Sequence, residues 1–288
     1  MKKLTSLLLT FVLATCLMIS TAFAATDYNQ GSYIEVTGFG TAPAVSVNAS
    51  QARMMARRAA VVDAYRNAAE EIQGVQVDAE TTVEMMATTN DTIKTKVSGL
   101  VRNATIVSEK VVEGNGYEVT MRIPMFGVSS VASAVIPQET VKEAFLEPSV
   151  TTSSPSAING NSESSAAEPR GAASFNIQKE GNYTGLIIDC HGLGLKPAMS
   201  PVIKNANLES IYGYKNLDYN KVVSNGMAGY ANSYQEASRA GNHPLIVKAI
   251  QLLGRGVNPV VSMEDADKIL LENQATHFLD NTNVVFMY

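Results

Sequence analysis

The residues best placed to do chemistry are Asp189, Cys190 and His191, which directly follow the apolar run Leu186-Ile187-Ile188. If that run is a strand, the three sit at the rim of an α/β sheet where nucleophiles and ligands often gather. On an extended chain Asp189 and His191 share a face and Cys190 points the other way, so they cannot act as a local triad. A cysteine nucleophile then needs a distant histidine as its base, and only His243 and His277 remain. A small buried cysteine between hydrogen-bonded polar residues explains the same run without catalysis, and is the preferred reading. The next residues, Gly192-Leu193-Gly194-Leu195-Lys196-Pro197, imitate the opening of a dinucleotide-binding turn. The third glycine is missing, and Pro197 stands where the helix receiving the pyrophosphate should begin. Gly192, Gly194, Lys196 and Pro197 therefore read as a tightly bent loop that contacts a partner. The sequence has no Walker, HExxH or GxSxG motif and no metal-spaced His/Cys cluster. The expectation is a protein that is not an enzyme, with no cofactor and no metal.

Positioning such residues requires a core, and 288 residues that are 45% hydrophobic and 17% charged can build one large or two modest domains. Lys2-Lys3, the apolar stretch from Leu7 to Ile19 and the small residues Ala22 and Ala24 form a secretory signal over residues 1–24, with Ala25 as the mature start. Leu13-Ala14-Thr15-Cys16 outlines a lipobox, but Thr15 replaces the usual small residue and the apolar run continues past the cysteine. A soluble periplasmic or envelope-associated product is expected, without a lipid at Cys16 and without a membrane span in the mature chain. Removing the leader takes away two lysines and no acid, leaving 20 basic residues against 27 acidic ones. No basic field remains to attract nucleic acid. One of the two cysteines leaves with the leader, so no disulfide can form within the mature chain.

Residues 148–174 are a Ser/Thr/Ala/Pro/Gly mixture with few large apolar side chains, which reads as a flexible linker between residues 25–147 and 175–288. The fold class expected is α+β: an N-terminal β-α-β-α-β-β unit with helices on a mostly antiparallel sheet, then an α/β-type C-terminal domain. The first strand, Tyr33 to Thr37, is closed by Gly38-Phe39-Gly40. A long helix follows, capped by Asn48 with Gln51 three residues on and ended by Gly74. Met54, Val61, Ala64, Tyr65, Ala68 and Ile72 form its apolar stripe. Val75 to Met86 reads as a strand, and Asp91 to Val101 as a helix with Ile93, Val97 and Val101 aligned. Asn115-Gly116 lies between two strand-like runs, a hairpin signal. Tyr117, Val119, Met121, Ile123 and Met125 alternate with polar residues, and Val128 to Phe145 reads as a helical tail. In the C-terminal region Leu186-Ile188, Leu245-Val247 and Val284-Tyr288 read as strands and Ile211-Tyr214 as a hairpin arm. Val222 to Tyr234 contains helix, and Ser262 caps another that buries Ala266, Ile269 and Leu270.

The Ala52-to-Glu70 helix, with its Ala56-Arg57-Arg58-Ala59-Ala60 and Asp63-Ala64-Tyr65-Arg66 segments, is followed by Gly74-Val75-Gln76-Val77, Gly99-Leu100-Val101 and Tyr117-Glu118-Val119 leading to Ile123-Pro124. Over about residues 33–127 this resembles the domain shared by Lpp-twenty-like envelope lipoproteins and the N-terminal part of flagellar assembly protein T. The resemblance implies an exported, mostly non-enzymatic envelope protein, and for the motility-linked members a role in building or bracing the periplasmic part of the flagellar basal body. It carries over no catalytic residues. The expected function is thus protein–protein contact with envelope or flagellar proteins, by edge-strand or helix-face docking, with oligomers allowed. The alternative is a small-molecule or glycan-binding module in the C-terminal domain, using the Gly192–Pro197 loop with Tyr212, Tyr214 and Tyr219.

Overall fold

The computed structural model describes residues 29, 32–43, 48–138, 141–149 and 179–288. The expected signal peptide, with Cys16, Ala22, Ala24 and Ala25, lies outside the described residues, as does nearly all of the expected linker.

The fold is α+β. Strands β1 (Tyr33–Thr41), β2 (Thr105–Val112) and β3 (Gly116–Pro124) form an antiparallel sheet in the order β1-β3-β2. Ile34, Val36, Val119, Met121 and Ile123 alternate onto its buried face. Helix α1 (Ala49–Gly74) lies across that face, and Asn48 Oδ1 accepts from Gln51 N at 2.8 Å as its cap. Gly38 and Gly40 do not close β1, which continues through both. A Cβ on Gly38 would stand 2.2 Å from Ala64 N, and one on Gly40 2.2 Å from Ala56 O. The glycines let the helix backbone touch the strand, and the helix answers with an inward ladder of Ala52, Ala56, Ala60, Ala64, Ala68 and Ile72, one per turn. Met54, expected in this stripe, is 73% exposed because the contact admits only small side chains.

The segment from Val75 to Met86 makes only a Gln76–Thr82 bridge instead of a strand. Asp78 Oδ1 accepts from Glu80 N and Thr81 N, both at 2.9 Å, turning the chain. Thr82 then caps α2 (Val83–Thr89), and Asn90 caps α3 (Asp91–Arg102), which buries Val97. The β2–β3 turn holds Gly114 and Asn115 at φ 74° and 60°, so the positive-φ pair falls one residue earlier than expected. The helical tail contracts to α4 (Val131–Val135), set by a Ser130/Ser133 capping box and ended before Pro137.

In the C-terminal region β4 (Gly185–Asp189), β7 (Gly229–Ala231), β8 (Pro244–Lys248) and β11 (Val284–Met287) form an all-parallel sheet in the order β7-β11-β4-β8. The last strand is therefore an inner one, and all four of its residues are buried. A second sheet contains β5 (Ile203–Lys204), β6 (Ser210–Tyr212), β9 (Gln251–Leu253) and β10 (Asn258–Val260), in the order β6-β5-β10-β9. Helix α5 (Tyr219–Asn225) stops at Gly226, whose φ is 72°, and the chain enters β7 at once. Helix α6 (Met263–Thr276) is capped by Ser262 Oγ accepting from Asp265 N at 3.0 Å, and buries Ala266, Ile269 and Leu270.

The two regions are in contact. One continuous cluster of buried side chains runs from Ile34 and Ala64 to Leu186 and Phe286. Gly127 N donates to Val223 O at 2.7 Å, and Met199 N and Ser200 N donate to Gln76 O and Val77 O at 3.0 and 2.7 Å. Residues 141–149 form a strap over the C-terminal region. Lys142 Nζ reaches Asp280 Oδ1 at 2.8 Å, Phe145 stacks on Tyr212, and Ser149 N donates to Asp267 Oδ1 at 2.8 Å.

Candidate functional site

Strand β4 delivers Asp189, Cys190 and His191 to the C-terminal rim of the parallel sheet. His191 folds back on Asp189, its backbone N–H donating to Oδ1 at 3.0 Å and its Nδ1 lying 2.6 Å from the same oxygen. The backbone N–H of His191, opposed by partial burial, holds the Asp189 carboxyl below its ordinary value. Cys190 points the other way and is fully buried, and burial followed by the Asp189 charge pushes its thiol up to about 12. His243 stands just before β8, accepting through its carbonyl from Thr184 N at the start of β4, a strand's length from Cys190. His277 caps the C-terminus of α6 at φ 55°, with its Nδ1 3.5 Å from Asp280 Oδ2. Neither is brought to the thiol, which remains a protonated core side chain at neutral pH.

The Gly192–Pro197 loop bends at Gly192 and Gly194, with φ of 77° and 76°, and is tied to the β9–β10 turn by Lys196 N donating to Gly256 O at 2.8 Å. Leu195 is buried beneath it while Leu193 is exposed. No helix begins at Pro197. Tyr212 is a core residue, its hydroxyl donating to Met227 O at 2.6 Å, and burial pushes its pKa upward. Tyr214 and Tyr219 line a cleft of about 240 Å³ with Lys142 and Asp218, and none of the loop residues lines it. The structure thus separates the loop from these tyrosines.

One buried polar residue, Glu272, and one half-buried one, Arg239, had no sequence signal. Glu272, fully buried on α6, accepts from Glu180 N and Gly181 N at 2.5 and 2.7 Å, fixing the chain as it approaches β4. Arg239 donates through Nε to Thr282 O and through Nη2 to Gly226 O, both at 2.7 Å, and burial lowers its pKa. Both serve as clamps on loops, legible only once the chain is folded.

The outer side of α1 offers a different surface. Phe39, Met55, Arg58, Ala59, Val62, Asp63 and Arg66 line a groove of about 530 Å³ between β1 and the helix. Asp63 Oδ2 accepts from Phe39 N at 3.0 Å, and Asn67 Nδ2 donates to Thr37 O at 2.8 Å, so α1 covers that stretch of the β1 edge.

Comparison with known proteins divides the chain where the structure does. Residues 26–123 match the LPP20 lipoprotein family. The matched span ends at Ile123 in β3, so it holds β1, α1 and nearly the whole hairpin, in agreement with the Lpp-twenty-like resemblance. Residues 185–288 match the second domain of Treponema pallidum Tp0624, from the first residue of β4 through β11. No curated protein matches the chain. The LPP20-type region thus supplies the glycine–alanine layer and its outer groove, and the Tp0624-type region supplies the parallel sheet with Cys190. Among the described residues, no helix is long and apolar enough to cross a membrane.

Proposed function

We propose that the protein is exported and envelope-associated, and that it acts by protein–protein contact without catalysis; flagellar basal-body assembly or stabilisation is the most specific form of this role. The LPP20 match supports the envelope setting. The observation that carries the contact role is α1, which turns its alanines to the core and leaves Met55 and Val62 exposed on the face beside Phe39. Single exposed apolar residues are ordinary, but two on one helix face beside an exposed phenylalanine make a surface for a partner. The chemistry at the β4 rim favours the same reading, because Cys190 is a buried thiol remote from His243. Unlike the family name, the Cys16 region lacks a regular lipobox, so the mature protein is expected to carry no lipid; palmitate labelling of the expressed chain checks this directly. The role is tested by affinity purification of the full mature chain from envelope extracts of its host, paired with motility and envelope-integrity assays of a deletion strain. Recovery of basal-body components with loss of motility supports the flagellar form. A strain indistinguishable from wild type in every assay, with no protein retained, contradicts the contact role.

A further inference from the structure

We infer that the groove between β1 and the outer face of α1 is a docking surface for an amphipathic, acid-flanked helix of a partner protein; this rests on the contact role proposed above. Three large apolar side chains line the groove with high exposure: Phe39 at 58%, Met55 at 40% and Val62 at 64%. Met55 and Val62 are seven residues apart, which places them two turns apart on one helical face, with Phe39 facing them across the groove. Methionines adapt their shape to an incoming side chain and suit a surface of this kind.

The charges define the occupant. Asp63 is the acid among the groove residues; one of its oxygens receives Phe39 N and the other pairs with Arg66 at 2.6 Å. Arg58, on the same rim as Arg66, is exposed and makes no ion pair among the described residues. The rim is therefore basic on a chain of net charge −5, so a carboxylate-bearing segment is drawn to this place and repelled elsewhere. An added strand is disfavoured, because Asp63 and Asn67 already bond the β1 edge at Phe39 N and Thr37 O. Side chains must then carry recognition, as they do for a helix in a groove. A bilayer surface is the weaker occupant, since the chain's overall negative charge repels anionic headgroups.

A photo-crosslinking amino acid at Met55 of the full chain, expressed in its host, tests this, with Met85 on α2, 49% exposed, as the control position. The expected result is an adduct at position 55 with one envelope protein, whose cross-linked peptide has Asp or Glu beside large apolar residues. Arg58→Glu, shown by melting to be folded, should lower the yield about tenfold, and replacing an acid of that peptide by Arg should restore it. Equal adducts at positions 55 and 85, an adduct with lipid or with a second copy, no adduct, or a yield indifferent to Arg58→Glu overturns the inference. Crosslinkers at exposed Val107 and Ile250 separate the two levels. Protein adducts there alone leave the contact role standing and remove this face.

Discussion

The two regions bury their sheets in opposite ways. In the LPP20-type layer the helix comes so close that glycines on β1 face alanines on α1, and the fit is one of backbone against backbone. In the Tp0624-type region β4 and β11 are apolar on both faces, with Leu186, Ile187, Ile188, Val285 and Phe286 filling space by side-chain volume. The difference teaches where each region is brittle. Added volume destroys the first and removed volume empties the second. It also explains the surfaces: a helix that meets β1 through alanines leaves Met54, Met55 and Val62 outside, whereas the parallel sheet keeps almost all of its large apolar residues inside.

Mutations can break or sharpen this contrast. The largest effect is expected from Gly38→Val, whose side chain has no room against Ala64 N at 2.2 Å and Ala60 O at 2.3 Å; a loss of about 4–5 kcal/mol should appear in denaturant melts. Phe286→Ala should cost about 3–4 kcal/mol by leaving a cavity in the parallel sheet, while Phe286→Leu costs far less. If small-to-large changes on β1 were tolerated as well as those at exposed positions, the close-contact description would fail. Glu272→Ala removes a buried carboxylate that accepts from two backbone N–H groups and should cost about 2 kcal/mol, with faster hydrogen exchange at Glu180 and Gly181.

The Cys190 thiol adds a pH effect. Its folded pKa is raised from an ordinary 9.0 to about 12, so the neutral thiol is favoured by folding. That stability is fully present below pH 9 and is lost as the pH rises toward 12, where the unfolded thiol ionises first. Cys190→Ala should flatten this part of the stability profile, and iodoacetamide should label the native thiol slowly at neutral pH and the urea-unfolded one fast. The smallest stability effect is expected from Met55→Ser and Val62→Ser, within about 0.5 kcal/mol of wild type, because these side chains already face water.

Features governed by nearby residues were legible in the sequence. Asn48 and Ser262 cap their helices, the β2–β3 hairpin turns within one residue of the Asn-Gly signal, and Leu186–Ile188 and Val284–Met287 are buried strands. The inward face of α1 was legible only in part: Ala64, Ala68 and Ile72 lie on it but Met54 does not, because methionine and alanine are both apolar and the choice between them is made by glycines on another element. The Val75–Met86 run carries strand-like residues, yet a single carboxylate at Asp78 turns it. The position of β11 inside its sheet and the bonds from residues 76–77 to 199–200 depend on residues far apart in sequence, which local patterning does not encode. The same holds for the groove. Phe39 and Val62 were visible as letters, but their gathering beside an open Arg58 exists only in the folded layer.

These unlike regions form one body with a shared core. This is tested by introducing a protease site between residues 150 and 178, cutting the folded chain there, and passing the product through a sizing column without denaturant. The contacts of Gly127 with Val223, of Gln76 and Val77 with Met199 and Ser200, and of the 141–149 strap with Tyr212 and Asp267 predict that the two pieces elute together. Elution as two separate folded pieces would contradict it.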